Sequence, residues 1–178
     1  MARQTFLECF RWTTSDATAI ANTTTETAMF AAPTIPADYM QDGRLLRIRA
    51  FGKLSTTGTP TLKIRARWGA AVSGVLLALS DTLTMGSGVS NAVWELELYI
   101  QTRTNGSAGT AIAFGTLRIM TGAGTVVQSV FGVAGWQTPA TATCDFTAAT
   151  SLTLSAEWGT ASSSNTLTGQ VVSVEALN

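Results

Sequence analysis

Residues 44–68 read RLLRIRAFGKLSTTGTPTLKIRARW, two runs of strictly alternating character joined by a Thr/Gly/Pro turn. In the first run Leu46, Ile48, Ala50 and Leu54 fall on one side and Arg47, Arg49 and Lys53 on the other, the two-residue period of an extended strand. The second run repeats the scheme, with Leu62, Ile64, Ala66 and Trp68 against Lys63, Arg65 and Arg67. A helix would scatter these charges around its circumference, whereas a half-buried strand keeps them in one row. The stretch predicts two amphipathic strands, with residues 55–60 as a polar corner able to carry the chain from one sheet to another.

The same alternation recurs downstream. VWELELYIQTRT at 93–104 sets Trp94, Leu96, Leu98 and Ile100 against Glu95, Glu97, Gln101 and Arg103, and the NGSAG turn at 105–109 joins it to TAIAFGTLRIM at 110–120. That second strand is apolar on both sides. Ala111, Ala113, Leu117 and Ile119 lie on one, and Ile112, Phe114 and Met120 share the other with Thr116 and Arg118. Its outer face is therefore expected either to be covered or to be an interface.

SLTLSAEW at 151–158 alternates again, and TLTGQVVSVEAL at 166–177 reads as a final strand. Residues 74–81 read as a short buried strand or apolar connection, 125–133 as a strand, and 134–148 as a long surface connection carrying Trp136. The expected fold is all-β, a two-sheet antiparallel jelly-roll β-sandwich of about eight main strands over residues 28–178. An N-terminal strand anchored by Phe6, Phe10 and Trp12 precedes it, followed by an extended Thr-rich arm, together spanning residues 1–27. In the expected order, strands 44–54, 151–158, 93–103 and 110–120 share a sheet. Arg47 and Arg49 would then face Glu157, followed by Glu95 and Glu97 and then Arg118.

The 178 residues suffice for a single domain with a sizeable core. Charged residues make up 12% and the formal net charge is zero, which disfavours nucleic acid and anionic membrane as partners. No apolar run is long enough to span a bilayer as a helix, and MARQTFLECFRW lacks the apolar core and small-residue site of a secretory signal. Cys9 and Cys144 show no metal or redox spacing and read as buried small apolar residues.

The chain contains no histidine, which removes the Ser-His-Asp and Cys-His nucleophile systems and His-containing zinc sites. Glu95 and Glu97 share a strand face and could in principle supply the two acids of a glycosidase, but nearby arginines favour a salt-bridged outer face. Asp38, Asp42, Asp81 and Asp145 lie in separate turns without a calcium-loop pattern. The basic row from Arg47 to Arg67 lacks interleaved aromatic residues other than Phe51, so base stacking is not supported. No enzyme activity, catalytic residue, metal or cofactor is expected.

The segment TIPADYMQDGRLLRIRAFGKLSTTGTPTLKIRARWG at 34–69 resembles a pattern in structural proteins of tailed bacteriophages. The likeness is carried by residues 34–37, Tyr39, Gly43, 46–50, Gly52, Ser55, Thr56 and 58–62, and is extended by VWELELYIQTRTNGSAGT and the closing VVSVEALN. It implies a jelly-roll virion protein of the capsid decoration (cement) group, which also has relatives among head fibres and tail components. The implied partners are the major capsid protein of the same phage and the chain itself, as a homo-oligomer expected to be a trimer, on the outer surface of the head. Ile112, Phe114, Arg118 and Met120, with Thr23, Thr24 and Thr25 of the arm, are the expected contact residues. The alternative is a receptor- or carbohydrate-binding module of a head fibre or tail, with Trp136 and Tyr39 as stacking platforms.

Overall fold

The computed structural model describes residues 7–122, 125–132 and 141–178. Fourteen strand segments and no helix are found among them, arranged as two antiparallel sheets packed face to face in a jelly-roll-like sandwich. The alternation read from the sequence sets the inside. Leu46, Ile48, Ala50 and Leu54 of β5 (Leu45–Ser55) point into the core, as do Leu62, Ile64, Ala66 and Trp68 of β6 (Thr61–Trp68). The arginines and lysines between them point out.

The large sheet runs β1 (Glu8–Trp12), β14 (Thr166–Ala176), β5, β9 (Ala92–Thr104), β10 (Gly109–Gly122) and β11 (Thr125–Phe131), with β2 (Ile20–Ala21) on β14 and β12 (Thr141–Cys144) on β10. The small sheet runs β3 (Thr27–Ala28), β13 (Thr150–Trp158), β6 and β7 (Val75–Leu79), with β4 (Thr34–Ile35) on β13 and β8 (Leu83–Thr84) on β6. The chain crosses between sheets from β5 to β6 and again from β13 to β14. The two crossings lie side by side because β5 pairs with β14 and β6 with β13.

This corrects the expected strand order. Residues 151–158 sit in the small sheet, and the C-terminal strand takes the place beside β5, so Glu175 rather than Glu157 faces Arg47. Glu157 pairs instead with Arg65, at 2.7 Å. Both registers oppose acid to base, so charge pattern alone could not choose between them. The 134–148 region is likewise not wholly a surface connection. Thr141–Cys144 adds a short strand to β10, and Phe146 is buried edge-on against Trp68 with ring centroids 5.0 Å apart. Cys144 is buried as expected, and burial pushes its thiol up to about 12. Cys9 is exposed, and Trp12 faces solvent instead of anchoring the core.

Three core indoles find acceptors for their N–H groups: Trp94 on the Thr168 carbonyl, Trp158 on that of Ile20 and Trp68 on that of Asp145. Gly52 and Gly169 lie opposite each other on β5 and β14. A Cβ at Gly52 would collide with the Thr168 carbonyl and the Trp94 indole, and one at Gly169 with the Phe30 ring. The glycine pair thus makes room for two aromatic side chains that press against the sheet.

The N-terminal segment closes one side of the sandwich. The Thr13 hydroxyl donates to the Gln170 carbonyl and accepts from the Val172 N–H, where β14 is irregular, and the Ala17 N–H donates to Gly169. The chain then passes from β14 to β13, pairing first through β2 and then through β3. Between these, Glu26 enters the outer face of the small sheet with its side chain 8% exposed. Arg67 donates to it from Nε at 2.6 Å and from Nη2 at 2.8 Å, Ser155 donates at 2.6 Å, and Arg65 Nη1 lies 3.5 Å away.

The 69–74 loop completes this cover. Arg67 also donates to the Gly74 carbonyl, Thr153 donates to that of Gly69, and the Val72 N–H turns toward Glu26 at 3.4 Å. Val72 adopts a φ of 70°, a left-handed conformation that is costly for a β-branched residue. Burial alone would raise the Glu26 pKa. The hydrogen bonds from Arg67 and Ser155 and the charges of Arg67 and Arg65 outweigh it and bring the pKa from the ordinary 4.5 to about 2.

Because the folded pKa lies below the unfolded one, this contribution is complete above about pH 4.5 and is lost as the pH falls toward 2; a difference of that size corresponds to about 3 kcal/mol. Glu26→Gln leaves the buried Arg67 guanidinium without its counter-charge, while Arg65 keeps Glu157, and is expected to cost about 3–5 kcal/mol at pH 7. Urea unfolding should show the gap between variant and parent closing from pH 4.5 downward; a pH-independent gap would contradict the assignment. Gly52→Ala, which forces Trp94 off its carbonyl, should cost about 1–3 kcal/mol in the same measurement.

Candidate binding face

The outer face of the large sheet is built by cross-strand register. Phe114 of β10 faces Tyr99 of β9, which faces Arg47 of β5, which faces Glu175 of β14. The next row sets Thr116 against Glu97, Arg49 and Ser173, and the row after it Arg118 against Glu95, Phe51 and Val171. Each row is a line of directly opposite side chains on one face of a pleated sheet, where Cβ atoms generally lie about 4.5–5.5 Å apart.

The charges in these rows are paired. Arg47 donates to Glu175 from Nε at 3.1 Å and Nη2 at 2.5 Å, which raises the arginine pKa and lowers that of the carboxyl. Arg118 donates to Glu95 at 3.1 Å, and Arg49 lies 3.9 Å from Glu97, which also accepts from the Tyr99 hydroxyl. Glu95 and Glu97 are therefore each engaged by a different arginine, an arrangement of a salt-bridged face rather than of an acid and base flanking a substrate bond. Between them is a shallow polar hollow of about 250 Å³ lined by Arg49, Phe51, Glu95, Glu97, Thr116 and Arg118.

Apolar side chains border the paired charges. Phe114, 44% exposed, stacks on Tyr99 with centroids 5.7 Å apart and planes 21° from parallel. Met120, 41% exposed, faces Val126 of β11, and Val130 and Val93 extend the same exposed rim. A hollow of about 410 Å³ opens between Met120, Val93 and the 88–92 turn. The register thus brings Phe114, Arg118 and Met120 onto one surface, with Ile112 half-buried in line with them. The valines of β11 and β9 join this rim, although the reading of β10 alone did not include them. Their signal was the run of valines at 126, 127 and 130, alternating only in part.

The remaining expected residues lie elsewhere. Thr24 and Thr25 are exposed and Thr23 half-buried on the covered side of the small sheet; the Thr23 hydroxyl accepts from the Thr25 N–H at 3.0 Å. Tyr39 is half-buried. Phe10 packs edge-on against it at 4.8 Å, Arg44 lies 4.4 Å over its ring, and its hydroxyl donates to Glu8 at 2.7 Å. Burial and the Glu8 hydrogen bond push its pKa up to about 12. A stacking ligand would have to compete with Arg44 for that ring. Trp136 lies outside the described residues. Among the described residues no group of three or more His, Cys, Asp or Glu side chains is placed to hold a metal ion, and no helix is long and apolar enough to cross a membrane.

No protein-family model matches the chain, and no curated protein does. A solved structure, the CBM2 module of the evolved Dit of Lactobacillus casei BL23 phage J-1, is similar at 11% identity and a TM-score of 0.35, over 83% of this chain and 69% of that one. Likeness at that level carries no argument about this chain.

Because the Glu95 and Glu97 bridges are exposed, Glu95→Gln and Glu97→Gln should each shift the unfolding free energy by no more than about 1 kcal/mol. A larger loss in urea titration would show that these pairs hold the sheet together.

Proposed function

We propose that the chain is a non-enzymatic structural protein of a tailed-bacteriophage virion, a capsid decoration (cement) protein that docks on the major capsid protein through the outer face of its large sheet. The observation that carries this reading is the exposed apolar rim of Phe114, Met120, Val93, Val126 and Val130 beside the paired charges of the same face. An apolar patch bordered by polar groups is the usual anatomy of a protein interface. The resemblance of residues 34–69 to phage virion proteins supplies the partner. Binding that is specific for the assembled lattice stabilises that lattice by mass action, and a homotrimer suits the local symmetry of a capsid.

A second reading, a receptor- or carbohydrate-binding module of a head fibre or tail, is favoured by Trp12, which is 65% exposed at the opposite edge of the same sheet. A glycan array separates the two, with hits lost in Trp12→Ala or Trp136→Ala favouring the second.

The docking reading predicts that the chain cosediments with intact heads and not with free coat protein. Met120→Glu combined with Val126→Glu should abolish cosedimentation while leaving the urea midpoint within about 0.5 kcal/mol of the parent, as expected for exposed positions. Co-purification with tails and absence from heads would refute it.

A further inference from the structure

On β1 the register pairs Arg11 with the buried Val174 and Trp12 with Ser173, so the two side chains leave the strand on opposite faces. Arg11 turns toward the open edge of the sandwich. Its side chain borders the apolar groups at that edge, among them Phe30, Leu152, Leu154 and Val172, and also a separate hollow of about 540 Å³ between residues 11–18 and 28–31. That volume is in the range of small-molecule sites.

Arg11 Nε is buried and has no hydrogen-bond partner, and no carboxylate among the described residues forms an ion pair with this guanidinium. Arg47, Arg49, Arg65, Arg67 and Arg118 each have one. Asp16 lines the same hollow, but it lies 3.6 Å from Lys53 Nζ and accepts from Gln170 Nε2 at 3.2 Å. Burying part of a guanidinium without an acceptor costs free energy that a bound anion would recover.

The rest of the wall describes the anion. Thr14, Ser15 and Thr18, all hydroxyl-bearing, line the same hollow. A planar guanidinium matches a carboxylate through two parallel hydrogen bonds, and hydroxyls match a polyhydroxylated ring. We infer that this hollow is a binding site for an acidic sugar, a pyranose bearing a carboxylate, with Arg11 as the anchor of the carboxylate. The inference deepens the carbohydrate-binding reading and rests on it. It is independent of docking through the valine rim, which lies across the sheet.

The test is a titration of the full chain, followed by NMR, with glucuronic acid and N-acetylneuraminic acid as probes. Glucose is the neutral control, and glutarate and a short polyglutamate peptide are the non-sugar carboxylates. Saturable shifts confined to residues 11–18 and 28–31 are expected with the acidic sugars below about 10 mM, the weak range for a single small ligand. Glucose, glutarate and the peptide should bind at least about tenfold more weakly. Arg11→Lys, which keeps the charge but loses the planar fork, should weaken acidic-sugar binding by about tenfold or more. Thr14→Val combined with Thr18→Val, at exposed positions that do not support the core, should weaken it as well, so the proposal stays testable if the Arg11 variant folds poorly. Equal binding of glutarate or polyglutamate would overturn the sugar assignment. Neutral sugars binding elsewhere, with no response to the acidic ones, would overturn this site and leave the carbohydrate-binding reading standing. No response to any sugar here, together with a blank glycan array, would remove both.

Discussion

A two-sheet sandwich has sheet edges whose backbone groups need partners, and in this protein one segment meets that need for β14 and β13 together. Residues 8–35 run along both strands and supply β1 and β2 to one and β3 and β4 to the other. Unpaired edges invite pairing with other chains, so covering both sheets with one strap removes two liabilities at once. The strap is fastened by the Glu26 carboxylate between Arg67 and Arg65. Hydrogen bonds from Arg67 and Ser155 fix its position, and the loop of residues 69–74 closes over it. The far side is held differently, by a reciprocal pair of backbone hydrogen bonds between Leu79 and Gly132 and by contacts of Ser129 with Asp81.

This asymmetry gives the two sheets different surfaces. The outer face of the small sheet is covered by its own chain, and Thr153 and Ser155 are buried there although they point away from the core. Among the described residues, the outer face of the large sheet has no such cover. Arg47, Arg49 and Arg118 pair with acids across its strands, leaving apolar side chains on β9, β10 and β11 as the part of the face exposed among those residues. A face of that kind gains most by burying its rim against another surface, and the proposed docking through the large sheet rests on that.

The strap also produces the second feature of interest. Where it leaves β1 it cannot lie flat against both sheets, and the hollow beneath it holds an arginine that the ion pairs of the two outer faces do not reach. Arg11 differs in this from Arg47, Arg49, Arg65, Arg67 and Arg118 of the sheet faces, each of which has an acid within reach. The valine rim and the arginine hollow lie at opposite edges of the large sheet, so occupying one need not block the other.

Alternation by itself was enough to place the inward side chains of β5, β6, β9 and β13, because side chains in a strand must leave on opposite faces and only one face of each was apolar; β10, apolar on both sides, took its orientation from its register with β9. The hairpin at 105–109 was equally legible from its turn residues. Strand order was not, since an acidic strand satisfies the arginines of β5 whether it comes from residues 151–158 or 166–176. That choice belongs to the crossing connections and to the Gly52–Gly169 contact that seats Trp94 and Phe30. Glu26 looked like one polar residue in a threonine-rich loop, and Arg11 and Trp12 like parts of an ordinary strand. Their environments depend on segments distant in sequence: for Glu26, Arg67 lies 41 residues away and Ser155 129. Local sequence determined that this chain forms amphipathic ribbons; which carboxylate is buried, which arginine is left alone and which face stays open were decided by tertiary packing, because each depends on what the fold lays beside it.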